Sequence, residues 1–287
     1  MSANRMALVD RMTPEQLLSH IDSGEPWPAS LPADAFGDPA AACQTALAVR
    51  ALRIARGEIP RGYKIGFTNR GLWERYGVHA PIWGTVWDTT LTQVDGDSRA
   101  APDDGAAATT LSLQGLCQPR IEPEVVFGLK AAPADGAGLD VLFDAIDWVA
   151  TGFEIVQSHR PGWRFNAADT LADSGLHGRL RVGPRRPLSG LASDAGGLVE
   201  MLQGTTVVLQ HDGADVDEGG GANVLGSPLH ALRHFVDELR ACPGAPQLRA
   251  GDIVTTGTWT DAWPVRAGER WCSRYGARLP DLQIDFS

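Results

Sequence analysis

Apolar residues recur every third or fourth position in only a few stretches of this chain. From Thr13 the spacing of Leu17, Leu18 and Ile21 predicts a helix. Thr13 supplies its N-cap, Pro14 its first turn and Gln16 the second half of a capping box, and Gly24 ends it. Asp38-Pro39 opens a second helix running to about Arg56, with Cys43, Leu47, Ala51 and Ile54 as its buried stripe and Gly57 as its stop. Beyond Pro60 the period shortens to two. Gly62–Phe67, Arg120–Leu129, Trp148–Gln157, Thr205–Gln210, Asp252–Thr256 and Leu282–Phe286 read as strands, separated by turn-rich stretches such as Asp212–Asn223. Two more helices are expected, about Leu139–Ile146 and Pro228–Arg240, the latter capped by Ser227. Strands outnumber helices without alternating with them, so the pattern predicts an α+β chain: residues 1–59 helical, residues 60–287 a β-rich main domain.

Charge narrows the partners. The 287 residues carry a formal net charge of −10, which argues against nucleic acid or an anionic membrane. Arg50, Arg53 and Arg56 form the regular basic stripe, read as the solvated end of the second helix. No run of about 18 apolar residues suggests a membrane span. The N-terminus has no apolar core of the signal-peptide type, which points to the cytoplasm. None of the four cysteines forms a CxxC pair, so zinc is disfavoured and reduced thiols are expected.

Three apolar stretches carry isolated charges. In Arg120–Phe127, Glu122 and Glu124 are two residues apart, which on a strand puts both on one face. Like charges near a core repel and are poorly solvated, and a divalent cation relieves both problems. The competing reading is an exposed edge strand, where Pro123 is tolerated. Glu154 is likewise alone in an apolar run; a third carboxylate would complete an all-oxygen site suited to Mg²⁺ or Mn²⁺, the alternative being a pair with Arg160 or Arg164. Lys64 lies between apolar neighbours, either snorkelling to the surface or buried beside carboxylates. Trp83, Trp87, Trp163, Trp259 and Trp263 sit in Gly/Pro-rich contexts and are candidates for pocket walls. Asp215, Asp217 and Gly219–Gly221 lack the spacing of a calcium loop and read as a turn.

Taken in order, GYKIGFTN (62–69), GVHAPIWG (77–84), RIEPEVVF (120–127), GFEIV (152–156), AADTLADSGLHG (167–178), SPLHALRHFVDEL (227–239) and GDIVTTGTWTDAWPV (251–265) resemble the 2-keto-4-pentenoate hydratase / oxalocrotonate decarboxylase family of the fumarylacetoacetate hydrolase superfamily. The resemblance implies that superfamily's β-rich roll with a small helical N-terminal part, a homo-oligomer, and a metal on Glu122, Glu124 and Glu154. It makes Lys64 catalytic and substrate-binding, and places Phe127, Asp173 and Thr258 against the substrate. Where the family pattern carries two acids this chain has His79 and Ala80; His79 and His177 are the candidate general acid/bases. The implied activity is metal-dependent hydration of a 2-hydroxy-2,4-dienoate in the catabolism of aromatic-ring cleavage products. The alternatives are decarboxylation of a 2-oxo-3-enedioate, C–C hydrolysis of an acylpyruvate, and a non-catalytic oxo-acid-binding partner subunit.

Overall fold

The computed structural model describes residues 12–76, 78, 80–94, 110–134 and 136–287. The chain opens with α1 (Pro14–Ser23) and α2 (Pro39–Ala55), then enters β1 (Pro60–Gly66), α3 (Trp73–Tyr76), β2 (Ile82–Trp87), β3 (Leu91–Gln93) and β4 (Thr110–Leu111). A long hairpin follows, β5 (Arg120–Leu129) and β6 (Ile146–Val156), with α4 (Leu139–Ala145) in its connection. Next come α5 (Ala167–Ala172), β7 (His177–Val182), β8 (Arg186–Pro187), α6 (Ala195–Gln203), β9 (Thr206–His211) and β10 (Ala214–Gly220). The chain continues through α7 (Pro228–Ala241), β11 (Ile253–Thr255), β12 (Trp263–Pro264), β13 (Arg270–Arg274) and β14 (Leu282–Phe286).

Among the described residues these strands form two sheets. The larger runs β2-β1-β11-β5-β6-β7-β3, with β12 also on β5 and β8 on β6; the smaller runs β10-β9-β13-β14-β4. Alternation along β5 sorts its side chains. Ile121, Val125 and Phe127 are fully buried in cores that reach α4, α6 and α7 on one side and the smaller sheet on the other. Arg120, Glu122 and Glu124 therefore share the opposite face. Burying an apolar side chain of that size contributes roughly 1.5–3 kcal/mol, so the hydrophobic positions fix the register that presents the charged ones.

The helix caps follow the sequence. Thr13 and Gln16 make the capping box of α1, and Gly24 closes it at φ 71°. Asp38 caps α2 through Ala41 N. Five expectations need correction. The buried side of α2 is Ala42, Cys43, Val49 and Arg53, whereas Ala51 and Ile54 are exposed, because the helix packs against α1 and α5 as well as the main core. Arg53 is not solvated: it is buried, paired with Glu58, and its guanidinium lies 4.6 Å from the Trp87 ring centroid. Cys43 and Cys242 are not free thiols but a disulfide with Cα atoms 6.4 Å apart, joining α2 to the residue that follows α7. Asp212–Asn223 is not one long turn. Asp212 and Gly213, both at positive φ, make a two-residue turn into β10, and Asp215 and Asp217 stand on that strand. Ser227 precedes α7 but makes no side-chain cap; the sequence pattern does not announce α3, α5 or α6, nor β2–β4, β7, β8, β10, β12 or β13.

Candidate active site

One face of the larger sheet carries a row of polar side chains across adjacent strands. Lys64 on β1 pairs in register with Thr255 on β11, and Glu122 on β5 with Glu154 on β6. Glu122, Glu124 and Glu154 each offer an oxygen within 4.8 Å of the others. Glu124 and Glu154 are fully buried and Lys64 nearly so, its Nζ 3.4 Å from Glu154 Oε2. On the opposite side of β1, Tyr63 and Ile65 enter the core, as the alternation requires.

Glu124 and Glu154 are held from behind. Thr255 Oγ1 and Gly257 N (2.8 Å) donate to Glu124 Oε2. Gly257 sits at φ 103°, and a Cβ there would lie 1.9 Å from Thr68 Oγ1, so only glycine allows the amide to turn inward. His177 Nδ1 lies 2.9 Å from Glu154 Oε1 and its Nε2 2.9 Å from Thr90 Oγ1. Burial holds the His177 pKa down despite Glu154 beside it. The neutral ring fits this pattern: Nδ1–H donates to the carboxylate and Nε2 accepts from the threonine.

The excess of negative charge over Lys64 points to a cation. Among the described residues, Glu124 Oε1 and Glu154 Oε2 are buried and accept no hydrogen bond. Burial pushes the Glu122 carboxyl up to about 7, with Lys64 pulling against it and Glu154 adding to it. Burial raises Glu124 further, reinforced by Glu154 and Glu122. Burial opposes the Lys64 ammonium, yet the three carboxylates outweigh it and raise its pKa. Three convergent carboxylates, two of them fully buried with only one ammonium beside them, are the donor set of a hard divalent ion.

A cavity of about 240 Å³ opens from this cluster. Its polar lining includes Lys64, Glu122, Thr258, Asn69, Arg120 and Asp261; its apolar lining includes Phe67, Ile82, Trp163, Phe165, Leu176 and Trp263. Thr258, expected against a substrate, is in this lining. Phe127 is not a wall residue: it is a fully buried core side chain, on the opposite face of β5 from Glu122 and Glu124. Asp173 gives both oxygens to His159, one to its backbone N (2.8 Å) and one to Nδ1 (2.6 Å); the lining passes through Leu176 instead. His177 has both ring nitrogens engaged, which makes it a support for Glu154. His79 lies outside the described residues. Arg160 pairs with Asp169, not with Glu154. Trp83, Trp87 and Trp259 are buried, while Trp163 and Trp263 line the cavity.

Sequence reasoning did not single out Thr255, Thr90 or Arg120 as site groups. Asp217, set aside as a turn residue, accepts from Trp263 Nε1 (2.8 Å) and Asp261 N (3.1 Å) and so anchors the loop that closes one side of the cavity.

No family model matches the chain. It is 31% identical to 2-hydroxyhexa-2,4-dienoate hydratase of Comamonas testosteroni over 221 residues, 77% of this chain and 76% of that one. It is 30% identical to 2-keto-4-pentenoate hydratase of Paraburkholderia phymatum over 237 residues, 82% and 81% of the two chains. The chain belongs to the 2-keto-4-pentenoate hydratase / oxalocrotonate decarboxylase family of lyases. A solved structure of this family, 4-oxalocrotonate decarboxylase from Pseudomonas putida G7 complexed with magnesium and adipate, matches at a TM-score of 0.80 and 25% identity, covering 97% of this chain and 100% of that one. A fumarylacetoacetate hydrolase family protein from yeast shares the fold at a TM-score of 0.53 and 15% identity, over 78% and 91% of the two chains. The α+β superfamily fold expected from the motifs is the fold observed. Among the described residues, no helix is long and apolar enough to cross a membrane.

Proposed function

We propose that the chain is a magnesium-dependent hydratase that converts a 2-hydroxy-2,4-dienoate to a 4-hydroxy-2-oxo acid in the breakdown of aromatic-ring cleavage products. The observation that carries this reading is the cluster of Glu122, Glu124 and Glu154 beside buried Lys64 at the end of a substrate-sized cavity. The three carboxylates would hold the ion. Bound there, it would supply Lewis-acid stabilisation of negative charge on the substrate's 2-oxygen.

The chain's own residues then divide the work. His177 and Thr255 keep Glu154 and Glu124 aimed. Lys64, kept as an ammonium by its three acidic neighbours, holds the anionic end of the substrate through Nζ. Thr258 lines the same cavity. As the dienol ketonises, its 2-hydroxyl proton leaves and C5 gains a proton; water then adds its oxygen at C4 and a proton at C3.

A second reading, decarboxylation of a 2-oxo-3-enedioate, draws on Arg120, a cation in the cavity lining. Both readings are tested by following the ultraviolet absorbance of mono- and dicarboxylic dienoates with the purified chain, with Mg²⁺ and with EDTA, and weighing the products. A gain of water supports hydration and loss of CO₂ the second reading. Absence of Mg²⁺-dependent turnover in the whole series would overturn both.

A further inference from the structure

A disulfide opens when a thiolate attacks one of its two sulfurs. Which one is attacked depends on access and on how readily the other leaves. The two halves of the Cys43–Cys242 bond differ on both counts. A second cavity, of about 210 Å³, lies beside the end of α7 and shares no lining residue with the first. Among the described residues, Cys242 lines it and Cys43 does not. Val236, Leu239, Pro246 and Leu248 give it apolar walls. Cys43 is buried on α2.

The backbone around Cys242 is fixed by more than the cross-link. Cys242, Pro243, Gly244 and Ala245 form a β-turn in which Ala245 N donates to Cys242 O (3.0 Å). Proline holds the second position and Gly244 takes the third at φ 81°, the type II arrangement. Gln44 Nε2 donates to the Pro243 carbonyl (2.9 Å) and lies 3.9 Å from Cys242 Sγ. The turn therefore keeps its shape when the disulfide opens, and the cavity keeps its wall.

Electrostatics act in the same direction. A helix carries partial positive charge at its N-terminus and partial negative charge at its C-terminus. Cys43 is the fifth residue of α2, whereas Cys242 is the C-cap of α7. Thiolate character is thus favoured on Cys43, which makes it the better leaving group. Neither free thiol competes as a nucleophile, because burial pushes Cys117 up to about 11 and raises Cys272 as well.

We infer that Cys242 is a reversible thiolation site, its cavity docking a low-molecular-weight thiol. The thiolate bonds to Cys242 Sγ, the Cys43–Cys242 bond breaks, and its electron pair leaves on Cys43 Sγ, which takes up a proton. A second thiolate then displaces Cys242 as a thiol and releases the small disulfide, completing reduction of the cross-link. The same small disulfide, attacked by Cys242, runs the exchange backwards.

The test treats the folded chain with mercaptoethanol, traps it with acid, digests it without reduction and maps the adducts by mass. The mixed disulfide should fall on Cys242 in at least about tenfold excess over Cys43. Its rate should be proportional to thiol concentration and unchanged by urea below the unfolding transition. In the single variants, hydroxyethyl disulfide should label Cys242 in Cys43→Ser at least about tenfold faster than Cys43 in Cys242→Ser. Adding Ala134→Trp to Cys43→Ser fills the cavity from an exposed lining position and should slow that labelling by at least about fivefold at an unchanged melting temperature. An adduct chiefly on Cys43, equal labelling of the two single variants, or labelling indifferent to Ala134→Trp would overturn the inference. So would reduction that accelerates with urea, since it would then pass through unfolding.

Discussion

The deep end and the outer end of the cavity are built by opposite means. At the deep end, Lys64, Thr255, Glu122, Glu124 and Glu154 stand on paired strands whose positions follow from register. At the outer end, Phe67, Trp163 and Leu176 project from irregular segments held in unfavourable backbone conformations by hydrogen bonds. Sheet register gives the carboxylate cluster a rigid geometry that the hydrophobic pattern enforces. Loops give the apolar wall a shape that can change without disturbing the carboxylate cluster.

The largest effect should come from breaking the deep end. Glu122→Gln should lower divalent-cation affinity by more than the roughly 10–100-fold caused by removing an outer hydrogen-bond partner of a metal ligand, and activity with it. Calorimetry and the absorbance assay read both; unchanged cation affinity would show that Glu122 is no ligand. Lys64→Met should reduce turnover by roughly 10²–10⁴ while the circular dichroism spectrum and cation binding persist, the variant having lost a competing positive charge. Near-normal turnover would make Lys64 a structural residue only.

A pH series sharpens the same contrast. The Glu122 carboxyl is raised to about 7 by burial, so in the metal-free protein its contribution to stability is full below the ordinary value of 4.5 and is lost as pH rises through about 7. Cation binding displaces that proton. Cation affinity should therefore climb as pH rises towards 7 and go on climbing above it, because Glu124, raised further still, must also give up its proton. The melting-temperature gain on adding Mg²⁺ to EDTA-treated protein should be larger at pH 8 than at pH 5; an equal gain would contradict the assignment.

The smallest effect on chemistry should come from a residue remote from both ends. Cys43→Ser removes the link between α2 and α7 and should cost about 2–4 kcal/mol of stability, visible as a lower melting temperature, with kcat within about twofold. A wild-type melting temperature in the variant, with and without a reducing agent, would mean that the cross-link adds nothing.

What could be read from the sequence follows the same division. The β5 segment was legible to its ends because apolar residues alternate with Glu122 and Glu124, and a period of two has one structural meaning. Thr13, Gln16 and Gly24 announced α1 because caps are local chemistry. The placement of Phe127 was available from that alternation, yet family resemblance suggested otherwise. By contrast, Arg53 stacks on Trp87 and Cys43 is bonded to Cys242, partners far along the chain that no local pattern encodes. The left-handed conformations of Phe67, Trp163 and Leu176 depend on distant hydrogen bonds, so the tryptophans could be flagged without knowing which of them reach the cavity.

The direct pairing of Glu122 with Glu154 across β5 and β6 limits how this site can evolve. Deleting one residue from the middle of β6 would turn its remaining side chains to the other face and carry Glu154 towards the apolar core. Deleting two would restore the face but shift the carboxylate by about 7 Å along the strand, out of reach of its partners. Length changes are therefore excluded from this hairpin, and descendants of the sequence can vary their chemistry there only by substitution. The connection between the two strands, which carries α4, remains free to lengthen.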